Sequence, residues 1–168
     1  EHLSLVKNNL ERLYGELTEL NCLRTLNIRH NNIKTSGIPA ELFHLEELTT
    51  LDLSHNNLKE IPEGLERARS LLNLNLSHNH IEAIPNTLFI HLTDLLFLDL
   101  SNNQLETLPP QTRRLANLQT LNLNHNPLGH FQLRQLPSLM NLTTLHMRDT
   151  QRTLNNIPSN LESLTNLQ

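Results

Sequence analysis

The chain's 168 residues, about a quarter of them leucine, are enough for one domain with a real core. Four glycines and no tryptophan exclude a collagen-like or glycine-rich chain, and a formal charge of −4 argues against nucleic acid or anionic lipid as the partner. Cys22 is the only cysteine, so an internal disulfide and a cysteine-built metal site are excluded.

No apolar run approaches the roughly 20 residues needed to span a bilayer, and no leader-like segment opens the chain. The pattern LxxLxLxxNxL recurs from Leu23, Leu48, Leu71, Leu95, Leu118 and Leu142. Fixed periods of this size mark solenoids. Glu1 to Asn9 fit the same frame, and Leu167 opens a further unit. The expected repeats are 1–22, 23–47, 48–70, 71–94, 95–117, 118–141 and 142–166, a piece of a longer solenoid.

Each repeat predicts a short strand, an asparagine turn and a return path. The first carries Asn8 at the turn. The second carries Asn31, then a two-residue expansion, Lys34-Thr35-Ser36-Gly37, before Ile38-Pro39. In the third, Leu51 and Leu53 alternate as in a half-buried strand, with Thr50, Asp52 and Ser54 on the opposite face. Asn56 then turns the chain inward, where its amide can satisfy buried backbone. Ile61-Pro62 starts the return, proline suiting the first turn of a short helix. Leu65, Ala68 and Leu71 follow at helical spacing and fill the core from the convex side. The fourth and fifth repeat this plan with Asn79, Ile84-Pro85, Asn103 and Leu108-Pro109. The sixth has Asn126 but lacks the Leu-Pro return, running on through Gly129, His130 and Phe131. The seventh puts Thr150 and Arg152 where asparagine and leucine are expected, and ends in Ile157-Pro158. Such irregularity marks a bend or a binding feature. The fold class is an α/β horseshoe, with a concave parallel sheet and a convex side of short helices and 3-10 turns.

Two columns are expected on the concave wall. One is Ser4, Asn27, Asp52, Asn75, Asp99, Asn122 and His146; the other is His2, Thr25, Thr50, Asn73, Phe97, Thr120 and Thr144. Phe97 is their one aromatic and lies by position near Leu72 and Leu96. The candidate partner-binding set is therefore Asp52, Leu72, Asn73, Asn75, Leu96, Phe97, Asp99 and Asn122, an apolar spot with a polar rim. The alternative is that Phe97 merely covers two half-buried leucines. Lys7, Arg24 and Arg29 make the first repeats basic and Asp52 and Asp99 the middle acidic, a gradient that either sets a partner's register or is solvated charge. His30, His55, His78 and His125 share one column. Strands about 4.8 Å apart do not converge ligands as zinc requires, so no metal is expected, although His55 and His78 would charge the groove below about pH 6.5. The sequons at Asn75 and Asn141 arise from the repeat itself. Ser54 with His55, Asp99 with Ser101, or Cys22 with a histidine invite a catalytic reading. A solenoid wall lacks the water-excluding pocket catalysis uses, so neither enzyme activity nor a cofactor is expected.

The 23-residue period with a Leu-Pro return resembles the intracellular leucine-rich repeat subfamily, which includes Ras-interacting scaffolds. Four stretches resemble, more specifically, the leucine-rich half of the flightless family of gelsolin-related actin regulators: Leu88 to Ser101, Leu108 to Leu115, Phe131 to Leu139 and Thr150 to Pro158. This resemblance implies a cytoplasmic, cytoskeleton-associated module, with the nucleus as a further location. It would recruit coiled-coil flightless-interacting proteins or a Ras-like GTPase. Actin would be reached only through a gelsolin-like half, of which this sequence shows nothing. The lack of cysteine-rich caps favours an intracellular setting. A Ras-pathway scaffold and an extracellular receptor ectodomain remain the alternatives.

Overall fold

The computed structural model describes residues 1–129, 133–152, 162 and 164–167. Phe131, Thr153 and the Ile157-Pro158 return lie outside them. Among the described residues, seven strands form one parallel sheet in chain order: β1 His2–Ser4, β2 Thr25–Asn27, β3 Thr50–Asp52, β4 Asn73–Asn75, β5 Phe97–Asp99, β6 Thr120–Asn122 and β7 Thr144–His146. Parallel neighbours need a long crossover, and the rest of each repeat supplies it. The register sets Leu26, Leu51, Leu74, Leu98 and Leu121 abreast, each at most 1% exposed. The sheet is the concave wall, and the two expected columns are its outer rows.

Each strand is short because the chain turns sharply after it. Lys7, His30, His55, His78, Asn102, His125 and Asp149, one residue before each turn position, hold φ between 52° and 58°. This left-handed conformation is unfavourable for side chains other than glycine, and asparagine, aspartate and histidine tolerate it best. The asparagine after it offsets that strain. Asn56 Nδ2 donates to Ile28 O, Leu53 O and Ser54 O, each at 3.1 Å, while its Oδ1 accepts Ile33 N–H at 3.0 Å. Asn79, Asn103 and Asn126 repeat this four-bond arrangement inside the core. Asn31 makes it half-buried. Asn8 is exposed, and its amide donates only to Val6 O. In the seventh repeat Thr150 is buried, its hydroxyl donating to Met147 O.

The return path is mostly 3-10 helix, as at Ala40–His44, Leu65–Arg67 and Pro110–Arg114, with one turn of α-helix, α1, at Leu88–His91. Proline stands earlier than expected. Pro39 and Pro109 are extended capping residues with φ −67°, Pro62 and Pro85 lie two residues before the caps Gly64 and Thr87, and among the described residues Pro110 alone occupies a first turn. The ring's fixed φ aims the chain into the helix without entering it. From the convex side Leu42, Phe43, Leu65, Ala68, Leu88 and Phe89 close one continuous core. No helix of the described residues is long and apolar enough to cross a membrane.

The expansion in the second repeat is a joint between neighbours. Thr35–Gly37 forms its own 3-10 turn, and Gly37 O accepts Leu13 N–H at 2.7 Å. Thr35 Oγ1 accepts the N–H groups of Lys59 and Glu60. One turn thus ties the first and third repeats to the second.

Candidate functional site

The inner concave column is preset by its own backbone. Asn27, Asp52, Asn75, Asp99 and Asn122 each accept, through Oδ1, the N–H two residues on, at 2.9 to 3.2 Å. This local turn is what asparagine and aspartate side chains favour. It fixes each side chain in one direction and leaves its second polar atom for the groove. Ser54 and Ser101 tighten the turn by donating hydroxyls to Asp52 and Asp99 at 2.6 Å. Ser54, expected on the open face, is therefore buried at 3% exposure. The Ser54 and Ser101 hydroxyls, nucleophile candidates by sequence, are committed to these carboxylates. Asn122 Nδ2 also donates to Asp99 Oδ2 at 3.2 Å.

Outside this column the structure divides the candidate residues. Asp52, Asn75, Asp99 and Asn122 line a polar groove of about 380 Å³ where the strands end. Leu72 and Leu96 line a separate depression of about 570 Å³ where the strands begin, beside Asp94, Gln119 and Asn141. Phe97 and Asn73 stand in the strands between, Phe97 half-buried and Asn73 exposed with its amide on Thr50 Oγ1. The wall is thus a half-buried aromatic between an apolar-floored hollow and an acidic groove.

The histidine column is also divided. His30, His55 and His78 stack face to face, with ring centres 4.1 and 4.0 Å apart and planes within 15°. Asn102 interrupts the column, and His125 Nδ1 lies 3.1 Å from Asp149 Oδ2. Burial lowers the pKa of His55, and its two ring neighbours and Arg29 act the same way against Asp52. No group of three or more histidines, cysteines or carboxylates among the described residues converges as metal ligands would. At the first repeats Arg24 pairs with Glu47 at 3.1 Å, so part of the expected basic end is neutralised.

A second ladder escaped the sequence pattern. Asn117, Asn141 and Asn166 donate to Thr93 O, Ala116 O and Met140 O, one repeat back. The signal was present as Asn-Leu at the head of three successive repeats. Both sequon amides are engaged, Asn75 with Ser77 N–H and Asn141 with Ala116 O.

A leucine-rich repeat model matches residues 34–81 and 69–128, and a second matches 19–40. Along its whole length the chain is 54% identical to a flightless-1 homologue of Caenorhabditis elegans, of which it spans 13%. It is 60% identical to the Danio rerio homologue over 86% of the chain and 12% of that relative. Among solved structures, a chain of the Toll–Spatzle complex from Drosophila matches 86% of this chain with 20% of its own length, at 31% identity and TM-score 0.73. With one parallel sheet, an asparagine at the turn of each regular repeat and a family model over more than half its length, the chain belongs to the leucine-rich repeat family, and what it matches in the flightless-1 homologues is their leucine-rich repeat part.

Proposed function

We propose that this chain is the protein-interaction module of a flightless-like regulator of actin-cytoskeleton organisation, holding a helical or coiled-coil partner on its concave face. The observation that carries the reading is Phe97, a half-buried aromatic on an open sheet between the preset Asp99 column and the Leu72–Leu96 hollow. Solenoids present extended concave surfaces to partners, and aromatics ringed by polar groups carry much of an interface's energy. The likeness to flightless-1 homologues supports the cytoskeletal setting. Coiled-coil flightless-interacting proteins are the first partner to test, and a Ras-like GTPase the second. We assign actin contact to the remainder of such a protein, and no catalytic step or cofactor to this chain.

The test is calorimetric titration of a flightless-interacting coiled coil onto the wild type, Phe97→Ala and Asp99→Lys. Phe97→Ala should weaken binding by about 2 kcal/mol, roughly thirtyfold in Kd. Asp99→Lys should act mainly on association rate and salt dependence. Full affinity in a double variant that circular dichroism shows folded would remove the partner from this face.

A further inference from the structure

The polar groove has two sides. Along one run the carboxylates of Asp52 and Asp99, and along the other the stacked rings of His30, His55 and His78. The charged groups around the rings are Lys7 of the first repeat, one place before His30 in the same column, Arg29 of the second, Asp52 of the third and Asp99 of the fifth, with His125 of the sixth paired to Asp149. With neutral imidazoles, the two cations Lys7 and Arg29 lie at the first two repeats, and the stretch from Asp52 to Asp99 is anionic. Asp52 and Asp99 stand in one register column with Asn75 between them. That is two strand spacings, about 9.6 Å. A helix laid across the strands rises about 1.5 Å per residue, so side chains seven residues apart share a face at about 10.5 Å. Cations at that spacing meet both carboxylates, and seven residues is also the coiled-coil repeat.

Building on the concave-face reading, we propose that this groove holds a partner helix whose lysines or arginines recur every seven residues, and that protonation of the His30–His55–His78 stack releases it. Each added proton places a cation about 4 Å from the next ring and beside the seat of the partner's own cations. Burial and the neighbouring rings hold the His55 pKa below its ordinary value. His55, the middle ring of the stack, is therefore uncharged at neutral pH. Imidazoles as a class take up protons at higher pH than carboxylates, so acidification acts first on the ring side of the groove.

Fluorescence anisotropy of two synthetic helical peptides of equal charge tests this on the chain described, one with lysines seven residues apart and one with lysines five apart. At about pH 7.5 the seven-spaced peptide should bind at least about tenfold more tightly, and it should lose at least about tenfold at about pH 5. The variant combining His30→Asn, His55→Asn and His78→Asn should lose the acid response, its affinities at about pH 7.5 and 5 differing by no more than about twofold whatever its neutral-pH affinity. Asparagine is the residue that holds this left-handed position in the fifth repeat, at Asn102. Circular dichroism at both pH values shows whether each protein is folded. Equal affinity for the two peptides, wild-type binding indifferent to pH, or the same acid loss in the histidine variant would each overturn the proposal. All three results are separable from failure of the concave-face reading, which the Phe97 and Asp99 variants test at neutral pH alone.

Discussion

Asn79 donates to Leu53 O, Leu76 O and Ser77 O and accepts Leu58 N–H, all within the core. Alanine there strands backbone groups that water cannot reach, and each stranded group is costly. Asn79→Ala should therefore lower stability by about 1–3 kcal/mol, read from the urea midpoint. Exposed Asn8, with one amide bond to Val6 O, should tolerate the same change; equal losses at both positions would contradict the ladder's role. His55 gives a pH dependence with a definite sign. Its folded pKa is lowered while the unfolded value stays near about 6.5, so the unfolded chain takes up the proton first. That contribution is intact above about pH 6.5 and is lost as pH falls from there through the folded value. His55→Asn should flatten the fall in urea midpoint between about pH 6.5 and 5; an unchanged slope would contradict it. The turn asparagines were legible in the sequence because one amide, with two protons to donate and an accepting oxygen, can satisfy several backbone groups at one buried corner. The burial of Ser54 was not, since alternation says which face a residue takes and not that Asp52 claims its hydroxyl.

At the scale of the element, alternating leucines announced the strands and the prolines announced the return. Their exact placement followed from backbone angles that composition does not reveal. Pro39 caps by extended geometry, whereas Gly64 caps the Leu65–Arg67 turn with φ 85°. The Thr35–Gly37 joint was legible as an insertion, and its meaning came from contacts made by three different repeats. A Cβ on Gly37 would lie 2.5 Å from Glu11 O, a backbone atom, so the joint must shift to admit it. Gly37→Ala should cost about 1–3 kcal/mol by overpacking, and the first repeat should loosen in hydrogen exchange. A stable variant with unchanged exchange at Leu13 N–H, which donates to Gly37 O, would show that the joint does not hold that repeat.

Among the described residues the elements of each repeat pack on those of its neighbours in the stack, so stability is a sum of local and nearest-neighbour contributions. Leu51, Leu74 and Leu98 are covered on both sides, whereas Leu3 and Leu145 are only partly buried. Amides of β3 to β5 should exchange most slowly and those of β1 fastest; uniform protection would mean one all-or-none unit. Fold and column order were legible at this scale because a repeated sequence fixes a repeated register. The division of the candidate site into groove, strand face and hollow was not, because it depends on which way each side chain is tied by its own turn. Whether the concave wall is the interface can be read in one measurement, nuclear magnetic resonance mapping of the chain during titration with a flightless-interacting coiled coil. If the concave wall is the interface, the largest changes fall on Asn75, Phe97, Asp99 and Asn122, and Lys34, Lys59 and Glu63, which line a separate depression on the rim beyond the asparagine turns, stay still. Changes concentrated on that rim, with the concave columns silent, would contradict it.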